Sequence, residues 1–369
     1  MKLKVISLFI FIFFTSAFSS GEAKTYTSSG QKFNVEKIFE GDDVIWGFDF
    51  LKDGSQILFS ERNGKLKLVD IKSKKVTEIL GVPKVFTDSQ GGLLDVYLDS
   101  KTQFVYLTYS EPTPKGATTS LFRGKLSTDN KKIIGERFFQ AQAFANGGIH
   151  YGSRVVIDQN GFIFLSVGER NVRDRAQDLN THQGKILRLN SDGTIPKDNP
   201  FVANKVALGE IWSLGHRNPQ GLIIDSKGQL LNAEFGPRGG DEVNLVIKGA
   251  NYGWPVVTYG SEYYGPSIGT KSKEGMIQPL YYWVPSISPS GLMEYTANVF
   301  PNFKGNLFLA TLSGMHLHRI VTGSERQILQ EEKLLLDLEE RFRQVKLGPE
   351  GFIYLSTDSG KLLRLVPAP

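Results

Sequence analysis

Residues 154–167 read RVVIDQNGFIFLSV: an apolar strand from Arg154 to Asp158, an Asn160-Gly161 turn, and a very apolar strand from Phe162 to Val167 with the unbroken run Ile163-Phe164-Leu165. A run of that length between turn residues is the pattern of a strand covered on both faces. The same phrase recurs along the chain. Upstream it is Trp46 to Leu51, Asp53-Gly54 and Gln56 to Ser60; at the far end it is Gln344 to Leu347, Glu350-Gly351 and Phe352 to Ser356. Less regular copies pair Gly92 to Asp99 with Phe104 to Tyr109, Gly221 to Asp225 with Gln229 to Ala233, and Gly291 to Tyr295 with Asn306 to Ala310. That makes six copies, about 45 to 70 residues apart. Third strands follow as Lys65 to Asp70, Lys185 to Asn190 and Lys361 to Val366, each opening with Gly-Lys. Their period-two alternation predicts half-exposed strands. A sheet with buried inner strands and a solvent-facing outer strand is a propeller blade, so the expected fold is all-β, a six-bladed β-propeller. Ile328 to Leu338 is read as a short turn of helix. Long insertions separate the third, fourth and fifth copies, and loops on one face of a rigid repeat scaffold are where function usually sits.

The N-terminus carries a different pattern. Met1-Lys2-Leu3-Lys4, the apolar residues Leu8 to Phe14, and small residues at Ala17, Ser19 and Ser20 match a secretory signal over about residues 1–20. The apolar run is shorter than the roughly 20 residues a membrane-spanning helix needs, and no later stretch reaches that length. The mature protein is therefore expected to be periplasmic or secreted, with no stable membrane insertion after signal cleavage. Removing Lys2 and Lys4 leaves 41 basic against 38 acidic residues. So mild a surplus, with no Arg/Lys block interleaved with aromatics, points to no nucleic-acid partner. The chain has no cysteine, which excludes thiol chemistry and Cys-ligated zinc and leaves stability to a large core.

The long loops hold the unusual polar content. Ser89-Gln90-Gly91-Gly92 lacks the Lys-Ser/Thr of a phosphate loop, and its glycines are read as close backbone approach. His150-Tyr151-Gly152-Ser153-Arg154 puts a histidine at the mouth of a buried strand, where an imidazole near its ordinary pKa can act as a general base or serve as a buried structural residue. In Gly215-His216-Arg217-Asn218-Pro219, Arg217 offers a planar fork for a carboxylate or carbonyl, and Asn218 both donates and accepts. The turn from Glu234 through Gly236, Pro237 and Gly240 to Glu242 exposes backbone carbonyls suited to a hard cation such as calcium. Arg341 and Arg343 lie two apart on a strand and share a face. Arginines converging on one channel call for an anionic ligand. His316 and His318 are read as structural, and the loop from Arg170 to Gln183 as an ordered polar crossover.

Together these phrases resemble the soluble quinoprotein aldose-sugar dehydrogenases, grouped with soluble glucose dehydrogenase as glucose/sorbosone dehydrogenases. The matching motifs are Gln90 to Val96, His150 to Arg154, Gly215 to Gly221, Gly236 to Glu242, Asn251-Tyr252-Gly253-Trp254-Pro255 and Arg341-Phe342-Arg343, in the family's order and covering about residues 33–367. The resemblance implies a six-bladed propeller that binds pyrroloquinoline quinone (PQQ) and calcium. It implies oxidation of an aldose sugar to the lactone, with an external electron acceptor. By it, His150 would take the anomeric hydroxyl proton, Arg217 would polarise the accepting quinone oxygen, and Gln90 and Glu169 would orient His150. Asn218, Arg341 and Arg343 would hold the cofactor, Gly236 and Pro237 the calcium, and Tyr281 and Trp283 would wall the sugar side. The chain departs from the family pattern in three places. Phe235 stands where relatives have His, Glu169 where glucose dehydrogenase has Asp, and Ser313 or Gly314 where some members carry a cofactor-binding Lys.

Two other classes fit a propeller. A calcium-dependent lactonase would need carboxylates ringing a central metal, whereas the motifs supply turns and arginines. A non-catalytic propeller that binds a saccharide or partner protein would have no use for His150 beside Arg217.

Overall fold

The computed structural model describes residues 24–369; the signal-like segment lies outside the described residues. Among them no helix is long and apolar enough to cross a membrane. Twenty-five strands form six antiparallel sheets, five of four strands and one of five. Each sheet is one blade of a β-propeller, and the order of strands in each follows the repeat read from the sequence.

Local chemistry explains the hairpins. In the third blade, Asp158 Oδ1 accepts from the Asn160 and Phe162 amides at 2.9 Å each, and Gly161 takes φ +86°, a value only glycine adopts without strain. The strands Val155–Ile157 and Ile163–Val167 then pair in register. Lys185–Leu189 completes the inner part of this sheet but is buried along its whole length, not half-exposed as its alternation suggested. It is covered because the crossover from Arg170 to Gln183 packs over it: Lys185 Nζ donates to the carbonyls of Arg175, Ala176 and Gln183 at 2.8–3.0 Å. Burial pushes that ammonium down to about 7.

Closure joins the two ends of the chain. The N-terminal strands Thr25–Ser28 and Gln31–Glu40 add to the outer edge of the last blade, the latter pairing with Lys361–Pro367. Phe33 is fully buried there, edge-on to Phe300 and Phe303 with centroids 6.3 and 6.4 Å away. Each such buried aromatic contributes about 1.5–3 kcal/mol. The stretch Ile328 to Leu338 is a strand, Ile328–Leu334, followed by a 3-10 turn at Leu336–Leu338. Pairing with Leu317–Thr322 along the fifth blade overrides its helical reading. His316 and His318 are buried and 3.0 Å apart, Nε2 to Nδ1, within that blade.

The six innermost strands, Ile45–Phe50, Leu93–Leu98, Val155–Ile157, Pro219–Ile224, Pro289–Glu294 and Phe342–Leu347, surround a central channel. Arg154 plugs it. Its side chain donates to Asp95 Oδ1 (2.7 Å), the Gln220 carbonyl (2.6 Å) and the Arg343 carbonyl (3.1 Å), and lies over Trp46 at 4.1 Å. One guanidinium thereby ties the third blade to the first, second, fourth and sixth. Replacing Arg154 with Met leaves the buried Asp95 charge and two carbonyls without their donor. The expected cost is about 3 kcal/mol, read as a lower urea midpoint with an unchanged slope; an unaltered midpoint would show that the plug is not stabilising.

Candidate functional site

On one side of Arg154 the channel opens into a cavity of about 400 Å³, lined by residues that include Gln90, His150, Arg217, Gly236, Arg341 and Arg343. The fold explains why these motifs meet. Gln90, His150, Arg217 and Arg341 each lie a few residues before the innermost strand of a blade, whereas Gly236 and Asp358 follow second strands. Antiparallel pairing brings the start of a first strand and the end of a second strand to the same face.

His150 is held in a left-handed conformation, φ +55°, by contacts on every side. Its amide donates to Gln90 Oε1 at 2.9 Å, and its carbonyl accepts from the Arg170 amide at 3.3 Å. Nδ1 is hydrogen-bonded to Glu169 Oε1. An ionised carboxylate can only accept, so Nδ1 carries the hydrogen and Nε2 is left as a lone pair without a partner among the described residues. Burial lowers the His150 pKa, Glu169 opposes this, and Arg217 lowers it further. The imidazole is therefore neutral at physiological pH. The Glu169 amide also donates to the Arg217 carbonyl at 2.8 Å, coupling the base to the neighbouring blade.

Arg217 sits on the adjoining wall, at the start of the fourth blade. Its amide donates to Glu234 Oε2 (2.7 Å), and Nη1 donates to the carbonyls of Phe235 (3.2 Å) and Gly236 (2.9 Å). Its buried Nε has no partner among the described residues. Arg343 makes two bonds to Asp358, Nε to Oδ1 at 2.8 Å and Nη2 to Oδ2 at 3.0 Å, and a third from Nη1 to Gln220 Oε1 at 3.0 Å. Arg341 Nε reaches the same carboxylate at 2.9 Å. A fourth guanidinium, Arg62, also lines the cavity, so four arginines face the single lining carboxylate Asp358.

The glucose / sorbosone dehydrogenase family model matches residues 42–364, the whole propeller apart from its closing strands. The chain belongs to the glucose / sorbosone dehydrogenase family. It is 38% identical over 346 residues to the aldose sugar dehydrogenase YliI of Escherichia coli, covering 90% of this chain and 93% of the relative. Among solved structures it is similar to the soluble aldose sugar dehydrogenase of E. coli in its apo form, with a TM-score of 0.87 and 37% identity over 91% of this chain and all of that one. It is also similar to the PQQ-bound aldose sugar dehydrogenase of Streptomyces coelicolor, with a TM-score of 0.76 and 26% identity over 91% of this chain and 98% of that one.

Within this family fold, the residues expected to form the site fall into three groups. His150, Arg217, Gln90, Glu169, Arg341 and Arg343 come together at the cavity. Asn218 lies behind the wall: its Oδ1 accepts from the Gly152 amide at 3.0 Å, and its buried Nδ2 has no partner. Tyr281 and Trp283 are elsewhere. They lie on the outermost strand of the fourth blade, Tyr281–Trp283, packed into the core shared with the fifth blade, where Trp283 Nε1 donates to Glu331 Oε2 at 3.3 Å. They are too far from the axis to wall a sugar site. Tyr263, on the loop that precedes this strand, lines the cavity mouth instead.

The cavity fits an anionic cofactor such as PQQ, a planar tricarboxylate. Its four arginines exceed its one carboxylate by three, and the buried Arg217 Nε lacks a partner among the described residues. Calcium fits less well. The Gly236 carbonyl already accepts from Arg217, and among the described residues no group of three or more His, Cys, Asp or Glu could hold a metal. Two backbone oxygens fall short of the six to eight that calcium takes, so these residues do not make a calcium site by themselves. Ser313 carries no charge to the rim; its hydroxyl is 2.7 Å from that of Ser288.

Residues missed from the sequence are Arg62, Tyr263 and Arg170. Arg170 stacks on Tyr151 at 3.5 Å and donates to the Gly147 carbonyl at 2.6 Å, fixing the loop in front of His150.

Proposed function

We propose that the protein is a periplasmic or secreted PQQ-dependent aldose dehydrogenase that oxidises the anomeric carbon of a sugar to the lactone and delivers electrons to an external acceptor. The observation that carries this reading is a neutral His150, with Nε2 as lone pair, facing a cavity with a surplus of positive charge. The names of the E. coli and Streptomyces relatives support the substrate and cofactor classes.

When bound, PQQ supplies a quinone able to accept a hydride. The residues of the chain do the rest. His150 Nε2 takes the proton of the C1 hydroxyl as the C1–H bond breaks, and Glu169 stabilises the imidazolium that forms. Arg217, Arg341 and Arg343 hold the cofactor's anionic groups, and Arg217 adds positive charge where negative charge develops. Arg154 closes the channel behind the site and keeps bulk water from that side. Tyr263 offers the sugar an aromatic face at the mouth. Calcium would join only with oxygens contributed by cofactor and water in addition to the Gly236 and Pro237 carbonyls.

A hydrolase reading finds little support. Ser213, His216 and Glu234 form a hydrogen-bonded chain with distances of 2.9 and 2.8 Å, in the order of a nucleophile, base and acid. All three are buried, and neither Ser213 nor His216 lines the cavity, so a substrate carbonyl cannot reach the hydroxyl.

The test is reconstitution of purified mature protein with PQQ, with and without calcium, followed by dye reduction over a panel of aldoses. Cofactor-dependent reduction is the expected result. Tight PQQ binding with no turnover on any aldose would instead favour a binding propeller, and no binding would remove the quinoprotein reading.

A further inference from the structure

Arg62 is the cavity arginine to which neither the motifs nor the reaction scheme give a task. It follows the second strand of the first blade, Gln56–Glu61, in the same structural position that Phe235 holds in the fourth blade and Asp358 in the sixth. Its backbone is pinned at both ends: the amide donates to the Val44 carbonyl at 3.0 Å, and the carbonyl accepts from the Leu93 amide at 3.1 Å. Gly92 permits this approach, since a Cβ there would stand 1.9 Å from the Arg62 carbonyl oxygen. Nη1 donates to the Ser89 carbonyl, which turns the guanidinium along the cavity wall next to Gln90.

The charge environment separates Arg62 from its neighbours. Arg341 and Arg343 share Asp358, whereas Arg62 makes no ion pair with any described residue and keeps donors free on a partly exposed guanidinium. Its charge reaches Arg343 across the cavity. A positive group oriented along the cavity wall near Arg343, with no acid paired to it among the described residues, favours an anionic occupant.

Building on the PQQ reading, we propose that Arg62 is a cofactor-anchoring residue that pairs with a carboxylate of the bound quinone. Without it the surplus of three positive charges falls to two, one fewer than the carboxylates of a tricarboxylate. The rim near Ser313 supplies no replacement, being closed by neutral hydroxyls.

The experiment is direct titration of cofactor-free protein with PQQ, followed by tryptophan fluorescence, for wild type, Arg62→Met and Arg62→Lys, and in parallel with the trimethyl ester of PQQ. Loss of a charge-assisted hydrogen bond in a partly buried site predicts about a 10- to 100-fold weaker Kd for Arg62→Met. Arg62→Lys should recover most of the loss, and the ester should bind wild type and Arg62→Met alike. Equal PQQ affinity in wild type and Arg62→Met overturns the proposal. So does an equal loss for PQQ and its ester, which would mark a purely structural role. Failure of wild type to bind PQQ overturns the parent reading as well, and is distinguishable because it appears before any variant is compared. Should Arg62→Met fail to fold, the neutral, polar Arg62→Gln takes its place: a weaker Kd for PQQ with an unchanged Kd for the ester is expected, and equal PQQ affinity in wild type and Arg62→Gln overturns the proposal.

Discussion

Replacing His150 with Ala is expected to lower sugar oxidation by about 10²- to 10⁴-fold, the usual contribution of a positioned general base, while PQQ affinity changes little. The separation of the two effects follows from geometry. In the proposed arrangement His150 Nε2 meets the sugar, whereas the arginines that would hold the cofactor's anionic groups line the cavity from other blades. A variant turning over near the wild-type rate would remove His150 from the mechanism. The pH dependence gives an independent check. Burial lowers the His150 pKa below its ordinary 6.5, so the base is already free of its proton at neutral pH. The kcat/KM profile should be flat through pH 7 and fall only as pH drops through the lowered value. Glu169 acts in the opposite sense, raising that pKa. Glu169→Gln should therefore move the acid limb further down, although the amide oxygen can still accept from Nδ1. An acid limb at or above 6.5 in the wild type would contradict the buried, neutral imidazole.

Removing Arg341 and Arg343 together is expected to weaken PQQ binding by about 10²- to 10⁴-fold, two charge-assisted hydrogen bonds at 1.5–3 kcal/mol each. Part of the loss comes from what remains. Asp358 is engaged by both guanidiniums at 2.8–3.0 Å, and without them an uncompensated carboxylate would face an anionic ligand. The single variants should differ. The Arg343 side chain is 12% exposed and the Arg341 side chain 48%, so Arg343→Ala should carry the larger share because solvent screens Arg341. Equilibrium titration of the cofactor-free proteins measures both effects; unchanged affinity in the double variant would refute the placement of these residues on the cofactor.

The six-bladed fold was legible because it is written in local chemistry repeated six times. Turn glycines such as Gly161 and unbroken apolar runs such as Ile163 to Leu165 need no distant partner to be recognised. The polar motifs at the cavity were legible for a related reason: His150, Arg217 and Arg341 precede first strands, and a propeller gathers the starts of its first strands at one face. What the sequence by itself determined was therefore the blade count and the loops that meet, His150 among them. Only the tertiary structure decided which side chains reach the axis. Tyr281 and Trp283 lie on the right blade but on its outermost strand, and that distance from the axis follows from strand order within the sheet, not from residue type. Lys185 alternates like an exposed residue and is buried because the long connection of its own hairpin, Arg170 to Gln183, folds back over it. Ile328–Leu334 became a strand because an edge of the fifth blade was available for pairing. Arg62, in an ordinary Glu-Arg-Asn-Gly turn, acquires its place in the cavity only when Val44 and Leu93 fix its backbone. Local pattern specifies the elements, whereas burial, pairing and charge environment depend on contacts between blades that neighbours in sequence do not encode.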